Sequence, residues 1–522
     1  MAKARVKKSA ASRGAGTTKR PRLEPSSFVI NPIYKDTKFA ENVRSDLNEK
    51  LPFPHWQLSN FLEVDPSVIE RVEKELIEYP AWHRKENDLY SLLQTPDLQT
   101  LDAAKYPAIT GFRQFLYNEM REWLANVSGI ELLPQVDSTG SCYATTDCLL
   151  PHSDQVENRR FAFVYYFTEE PWEESYGGQT NIYNTNEDDE PTTLFTSLIP
   201  HRNSLLLFEV SEKSWHSVAE VIGEENCPRL SINGWFHTNR PIQPHIRPPL
   251  VRPKITPQGE VDLSSFFSAQ VLNENSEKSM GEVFKSSSEL LIKDSFQKAF
   301  HDEILLAMGS GNWIERGPVN KRWMAEYNID DVSDGCVAKF VQALRSETMM
   351  TFVKKVTGSE YEEILIEPHT TLRIYRLTHG CYTVLGDEDA EQYMKDGLSA
   401  DFWVRDFQLC FFVRSNLHEA FLQFYFGKSN WNEDAGGEVV YIKKDVEEPI
   451  LRCPPTVGAM AIVRRDKDVF PFLKYVNHYA KPDPIYVIAL SVYGLISSKD
   501  NDVQESTNAE SSGEKAQMQS LA

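Results

Sequence analysis

The sequence contains no CxxC pair. Its seven cysteines, at 142, 148, 227, 336, 381, 410 and 453, are odd in number and scattered. That argues against both a zinc ribbon and a disulfide framework, and for free thiols in a reducing compartment. The chain also lacks any run of about 18 apolar residues, and its opening MAKARVKKSAASRGAG lacks the apolar block of a secretory signal. Neither a membrane span nor export is expected, and a soluble intracellular protein is. Net positive charge is concentrated in residues 1–22, which hold eight Lys or Arg and no acidic residue; setting those eight aside takes the net charge from −21 to −29. So acidic a body disfavours a nucleic-acid groove and suits a basic protein partner.

What is present divides the chain. A length of 522 residues exceeds one compact core, so two domains of roughly 200 to 250 residues are expected. Residues 1–30 and 497–522 are poor in apolar side chains and expected to be disordered. Lys7-Lys8, then Lys19-Arg20-Pro21-Arg22, have the form of a bipartite nuclear-import signal, predicting an import receptor as partner and both nucleus and cytoplasm as locations. The stretch 241–257 (PIQPHIRPPLVRPKITP) reads as a linker between domains at 31–240 and 258–496.

In each half, helical apolar spacing (Asn60–Tyr79 and Ile109–Val127; near Glu289–Met308 and Cys336–Val356) precedes short apolar strands. In the first half these are CYATTDCLL, RRFAFVYYF, GGQTNIYN, NSLLLFEV and RLSINGWFH; in the second, TLRIYRL, FQLCFFVR, FLQFYFG, EVVYI, AMAIVRR and PIYVIALSVYGL. Trp172 with Gly177-Gly178 and TNIY parallels Trp431 with Gly436-Gly437 and EVVYI, and SWHSV around His216 parallels VNHYA around His478. The expected fold is therefore mainly β with added helices (α+β): two double-stranded β-helix (jelly-roll) domains, each with flanking helices.

Within LLPHSDQVE, His152 and Asp154 are two apart, and on an extended chain they share a face. Chance alone would place about one such triplet in a chain with this composition, so its company decides its meaning. His216 lies sixty-four residues on, just past NSLLLFEV. Two imidazoles and a carboxylate make the facial triad that holds Fe(II) with positions left open, whereas catalytic zinc favours His-rich tetrahedral sets. Arg229 and Ser231 open RLSINGWFH on one face, as a guanidinium fork and hydroxyl suited to a carboxylate, and Tyr166 ends RRFAFVYYF within reach of the same group. Each has an ordinary alternative: His216 as a core histidine, Arg229 as a rim arginine paired with Glu224 or Glu225, Tyr166 as packing. Their joint order at strand ends favours the site.

That order, HxD, His, RxS, resembles the 2-oxoglutarate and Fe(II)-dependent oxygenases. HSDQVENRRFAFVYYF, PWEESYGGQTNIY, LLLFEVSEKSWHSVAEVI and RLSINGWFH, with NDLYSLLQTPDL upstream and GNWIERGPVNKRW in the second half, resemble the ribosomal prolyl 3-hydroxylases. The resemblance spans about residues 40–495 and implies His152, Asp154 and His216 as iron ligands and Arg229 and Tyr166 as receptors of the distal 2-oxoglutarate carboxylate. It further implies O2 and ascorbate as further requirements, a small-subunit ribosomal protein as substrate, and an effect on translation. The second copy departs from the pattern: Gly386-Asp387-Glu388 stands where His152-Ser153-Asp154 would, and PIYVIALSVYGL has no Arg. A non-catalytic second domain is expected. Three rivals remain at this point. A nucleic-acid demethylase of the same class usually carries a second Arg six positions after the first, where this chain has Trp235. A prolyl 4-hydroxylase of another intracellular protein differs only in product, and a binding scaffold would have kept the fold without the chemistry.

Overall fold

A computed structural model describes residues 27–156, 158–223, 227–239, 255–329, 334–361, 369–385, 401–405, 408–412, 418–443, 446, 448–465 and 469–497. Both tails, most of the Pro-rich stretch, and Gly386-Asp387-Glu388 lie outside the described residues. The chain forms two compact units, the first running to Arg247 and the second comprising most of the remainder. No described helix is long and apolar enough to cross a membrane.

The first unit opens with α1 (Thr37–Glu49), β1 (His55–Leu58), α2 (Pro66–Glu78), β2 (His83–Glu86) and β3 (Tyr90–Gln94), then α3 (Pro107–Phe115) and α4 (Arg121–Ser128). Asp36 and Asp65 cap α1 and α2 by accepting from Phe39 N and Ser67 N. Asp65 and Pro66 start α2 later than the apolar spacing from Asn60 suggests. The start of α3 has no side-chain cap of its own; buried Glu75 on α2 accepts from Ala108 N and Ile109 N at 2.7 and 3.1 Å instead. Two orphan donors at a positive helix end are thereby satisfied by one carboxylate, which welds α2 to α3.

Eight strands follow: β4 (Val136–Tyr143), β5 (Cys148–His152), β6 (Arg159–Tyr166), β7 (Thr180–Thr185), β8 (Pro191–Leu198), β9 (Leu205–Glu209), β10 (His216–Val218) and β11 (Arg229–His237). They pair as β9-β6-β11-β4 and β5-β10-β7-β8, with β3 joining β4 to β5 and β1 flanking β9. Apart from the β7–β8 hairpin, which stays within one layer, successive strands thus alternate between two four-stranded layers, which is the jelly-roll path. Strand alternation then gives each residue of the larger layer a side. Phe161, Phe163, Tyr165, Leu205, Leu207, Leu230, Ile232 and Phe236 pack with Val72, Leu76, Phe112, Phe115 and Leu124 of the helices in one core. The opposite face carries Arg229, Ser231, Asn233 and Trp235, with Thr139, Ser141 and Tyr143 across the ladder. The helices bury one face so that the other can line a cavity.

In the second unit, strands Met460–Arg465, His418–Phe426, Ile485–Ser497 and His369–Leu377 pair in that order, and Leu451–Cys453, Val439–Lys443 and Val469–Leu473 form a smaller sheet. This repeats the β9-β6-β11-β4 and β8-β7-β10 arrangements. The helical spacing expected near Glu289–Met308 resolves differently: Glu289–Ile292 is a strand paired with Met460–Val463, and the helix is Lys298–Gly309. Cross-strand pairing there overrides local spacing. The run Cys336–Val356 is two helices, Gly335–Leu344 and Glu347–Thr357, because Ser346 caps the second by accepting from Met349 N at 3.1 Å.

Candidate metal centre and cosubstrate cavity

His152 ends β5 and His216 opens β10, and the two residues are direct cross-strand partners. Their ring centroids lie 4.2 Å apart. Asp154, just past β5, has φ +61° and turns its carboxylate back between them, with Oδ1 3.4 Å from His152 Nε2 and Oδ2 3.6 Å from His216 Nε2. Asp tolerates this left-handed backbone better than most residues. One ligand atom from each of the three lies within 4.8 Å of the others, and all three residues are buried. Sequence reasoning placed these residues together, and the geometry brings them together.

Both Nδ1 atoms are committed, to Leu150 O at 2.9 Å and to Ser214 O at 2.8 Å. A neutral ring that donates through Nδ1 presents a lone pair at Nε2, so both lone pairs face the carboxylate. Asp154 Oδ1 is buried and accepts no hydrogen bond. Such convergence is unfavourable without positive charge at its centre, whether a proton or a metal ion, and the donor set matches a 2-His-1-carboxylate triad. Burial alone would push the Asp154 carboxyl up, but the facing His152 and His216 outweigh it and hold it well below the usual carboxylate range. Burial and neighbouring His152 push His216 down to about 4 against the pull of Asp154. Near neutral pH, His216 is therefore ready to ligate without first losing a proton.

The triad forms one end of a cavity of about 280 Å³, near the lower end of ligand pockets. Arg229 lines it while being only 2% exposed. Its Nε donates to Gly178 O at 2.7 Å and its Nη2 to Thr180 Oγ1 at 3.1 Å and Tyr166 Oη at 3.3 Å. The guanidinium is thus fixed from behind, with Nη1 outside all three bonds. Ser231 Oγ and, directly across the ladder, Ser141 Oγ are buried hydroxyls without hydrogen-bond partners, both on the cavity wall. These groups fit a carboxylate. Tyr166 plays a different part from the one expected of it: it is not on the cavity wall but hydrogen-bonds Thr180 Oγ1 at 3.1 Å and braces Arg229. Tyr143, paired in register with Arg229, lines the cavity beside the guanidinium. Sequence reasoning missed Tyr143 and Ser141; the signal for both was alternation along VDSTGSCY opposite RLSINGWFH.

Residues 138–237 match the model of the 2OG-Fe(II) oxygenase superfamily, and residues 259–502 match the oxoglutarate and iron-dependent oxygenase degradation C-terminal domain. "Prolyl 3-hydroxylase OGFOD1" of Xenopus laevis is 30% identical over 463 residues, covering 82% of this chain and 84% of that protein. The chain belongs to the OGFOD1-type prolyl 3-hydroxylase family. The Mus musculus member is 31% identical over 473 residues, covering 82% and 85%, and "Prolyl 3-hydroxylase sudestada1" of Drosophila melanogaster is 26% identical over 498 residues, covering 88% and 85%. Like the superfamily as a whole, the OGFOD1-type enzymes use Fe(II) and 2-oxoglutarate, and the triad and the Arg229 wall fit both groups.

The OGFOD1-type second domain repeats the fold without repeating His216 or Arg229 among the described residues. Trp172 Nε1 donates to Gly177 O at 2.9 Å and Trp431 Nε1 to Gly436 O at 2.7 Å, and all four glycines of the two Gly-Gly pairs have φ between +70° and +75°. With those turns superposed, Thr180 corresponds to Val439 and Ile182 to Tyr441. Ile182 pairs with His216, whereas Tyr441 pairs with Pro471. His478 is therefore not the counterpart of His216, contrary to the likeness of SWHSV and VNHYA; it lies beyond the strand, seven positions after Pro471. Likewise Ser231 pairs with Tyr166 where Val487 pairs with Tyr425, so the place of Arg229 is taken by Ile485.

Proposed function

We propose that the chain is a 2-oxoglutarate- and Fe(II)-dependent prolyl 3-hydroxylase acting on a proline of a small-subunit ribosomal protein, and so modulating translation. The observation that carries the reading is one buried cavity with the His152–Asp154–His216 cluster and the braced Arg229 on its walls. Iron with 2-oxoglutarate and O2 supplies an oxidising power that protein side chains lack. The chain's own part is to hold and orient. His152, Asp154 and His216 hold the metal through one side only, Arg229 with Ser231 and Tyr143 fixes the distal carboxylate, and the apolar walls at Leu149, Phe208 and Val218 exclude water. The net charge of −29 outside the first 22 residues favours a basic substrate, as ribosomal proteins generally are.

The second unit takes no part in the chemistry; Pro471 and Ile485 at the register positions of His216 and Arg229 support this. Import through the basic residues 7–22, residence in both nucleus and cytoplasm, and ascorbate as a reductant complete the proposal. The test is succinate release from 2-oxoglutarate with a proline-containing ribosomal peptide, followed by mass spectrometry of the product. Fe(II)-dependent succinate and a C3 hydroxyl are expected. Activity surviving His152→Ala, or none in the wild type, would sink the enzyme reading in favour of a scaffold, and a C4 hydroxyl would make it a prolyl 4-hydroxylase.

A further inference from the structure

The two oxygens of Asp154 are treated differently by their surroundings. Trp235 Nε1 donates to Oδ2 at 3.0 Å, while Oδ1 accepts nothing. Trp235 is itself held, because the guanidinium of Arg159 lies 3.5 Å from its ring centroid, well inside cation–π range. Arg159 closes the same loop that turns Asp154 inward: Val156 N donates to Asp154 O at 2.7 Å and Arg159 N to Val156 O at 3.3 Å. Backbone and side chains thus converge on a single orientation of one carboxylate.

We propose that Trp235, clamped by Arg159, is a positioning residue that occupies Oδ2 and thereby presents Oδ1 as the only metal-binding oxygen. A carboxylate free at both oxygens can chelate through both. In a facial triad the second oxygen would take one of the positions that cosubstrate and O2 need. The indole N–H prevents this, and the arginine keeps the indole from swinging away. The inference rests on the triad being the Fe(II) site of the proposed function.

The test uses the full chain and Co(II) as an oxygen-stable probe. Trp235→Phe keeps the ring and its stacking on Arg159 but removes the N–H, and the partly exposed position makes it a mild change to the fold. Metal-induced infrared difference spectra read the separation of the asymmetric and symmetric carboxylate stretches, which narrows when a carboxylate binds through both oxygens. The expected result is a narrower separation in Trp235→Phe, with 2-oxoglutarate binding to the Co(II) protein weakened about 10- to 100-fold, the same size of effect that losing an outer-sphere partner has on metal affinity or activity. Arg159→Met shows the same two changes to a smaller degree. A separation equal to that of the wild type, or 2-oxoglutarate binding within twofold of it, overturns the proposal. Wild-type protein that takes up no Co(II), or His152→Ala that keeps it, overturns the metal-site reading and this inference with it. A normal wild type with an unaltered Trp235→Phe removes only the inference.

Discussion

Arg229→Gln is the most direct perturbation of the cosubstrate wall. Arg229 spends three hydrogen bonds on Gly178 O, Thr180 Oγ1 and Tyr166 Oη, and what remains for a ligand is Nη1 with its positive charge. Truncating one partner of a buried, hydrogen-bonded charge pair costs roughly 2–5 kcal/mol. The lower part of that range applies here, because Ser231 and the cavity-facing Tyr143 remain as donors. About 3 kcal/mol corresponds to a KM for 2-oxoglutarate raised about 100-fold, at 1.4 kcal/mol per tenfold. The fold should tolerate the change, since the Tyr166–Thr180 bond at 3.1 Å does not depend on the arginine. Succinate release at saturating Fe(II) and peptide, titrated with 2-oxoglutarate, separates KM from kcat. A KM within threefold of the wild type, or a collapse of kcat at unchanged KM, would refute the assignment of Arg229 as carboxylate receptor.

Three further outcomes follow from particular contacts. Glu75→Gln replaces the carboxylate that accepts from Ala108 N and Ile109 N, so thermal unfolding should show a loss of about 1–2 kcal/mol while activity at low temperature persists. In the metal-free protein, His216 titrates near 4 when folded and near 6.5 when unfolded; below 6.5 the unfolded chain binds the extra proton, so stability should fall as pH drops from 6.5 toward 4. Urea unfolding across that window checks this, and His216→Asn should flatten the slope. Gly177→Ala would drive a Cβ into Glu220 O at φ +70°, and a loss of at least about 2 kcal/mol in a chemical denaturation curve is expected.

Much of the site was legible because a strand has period two. Once RLSINGWFH is a strand, Arg229 and Ser231 must share a face; His152 and Asp154 converge for a different reason, the left-handed turn at Asp154 just past β5 rather than the extended continuation their spacing suggested. The partners across the ladder were not legible, because register is set by packing and turns that no single strand reveals. Tyr143 and Ser141 were missed for that reason, and so was the hydrogen bonding of Tyr166 to Arg229 and Thr180. Strand β8 went unseen because five of its eight residues are exposed, polar and apolar alike, without alternation. His478 shows the opposite failure. A local likeness between SWHSV and VNHYA suggested equivalence, while the hydrogen-bonded ladder puts Pro471 there.

The duplicated Trp and Gly-Gly turn separates what the fold requires from what the chemistry requires. In both units an indole N–H satisfies the carbonyl of the first glycine, and in both a Cβ on that glycine would strike a backbone carbonyl, of Glu220 in one and Tyr475 in the other. These contacts serve the hairpin in both units. Arg229 sits against the same turn, accepted by Gly178 O, and there the units differ, with Ile485 buried in an apolar interior beside Tyr425, Val439 and Leu473. A buried guanidinium is costly unless its donors meet acceptors, and Nη1 is the donor of Arg229 that a carboxylate in the cavity would satisfy. Ile485 offers no such donor, so Arg229, rather than the shared turn, is the feature that fits one unit and not the other to a carboxylate at this position.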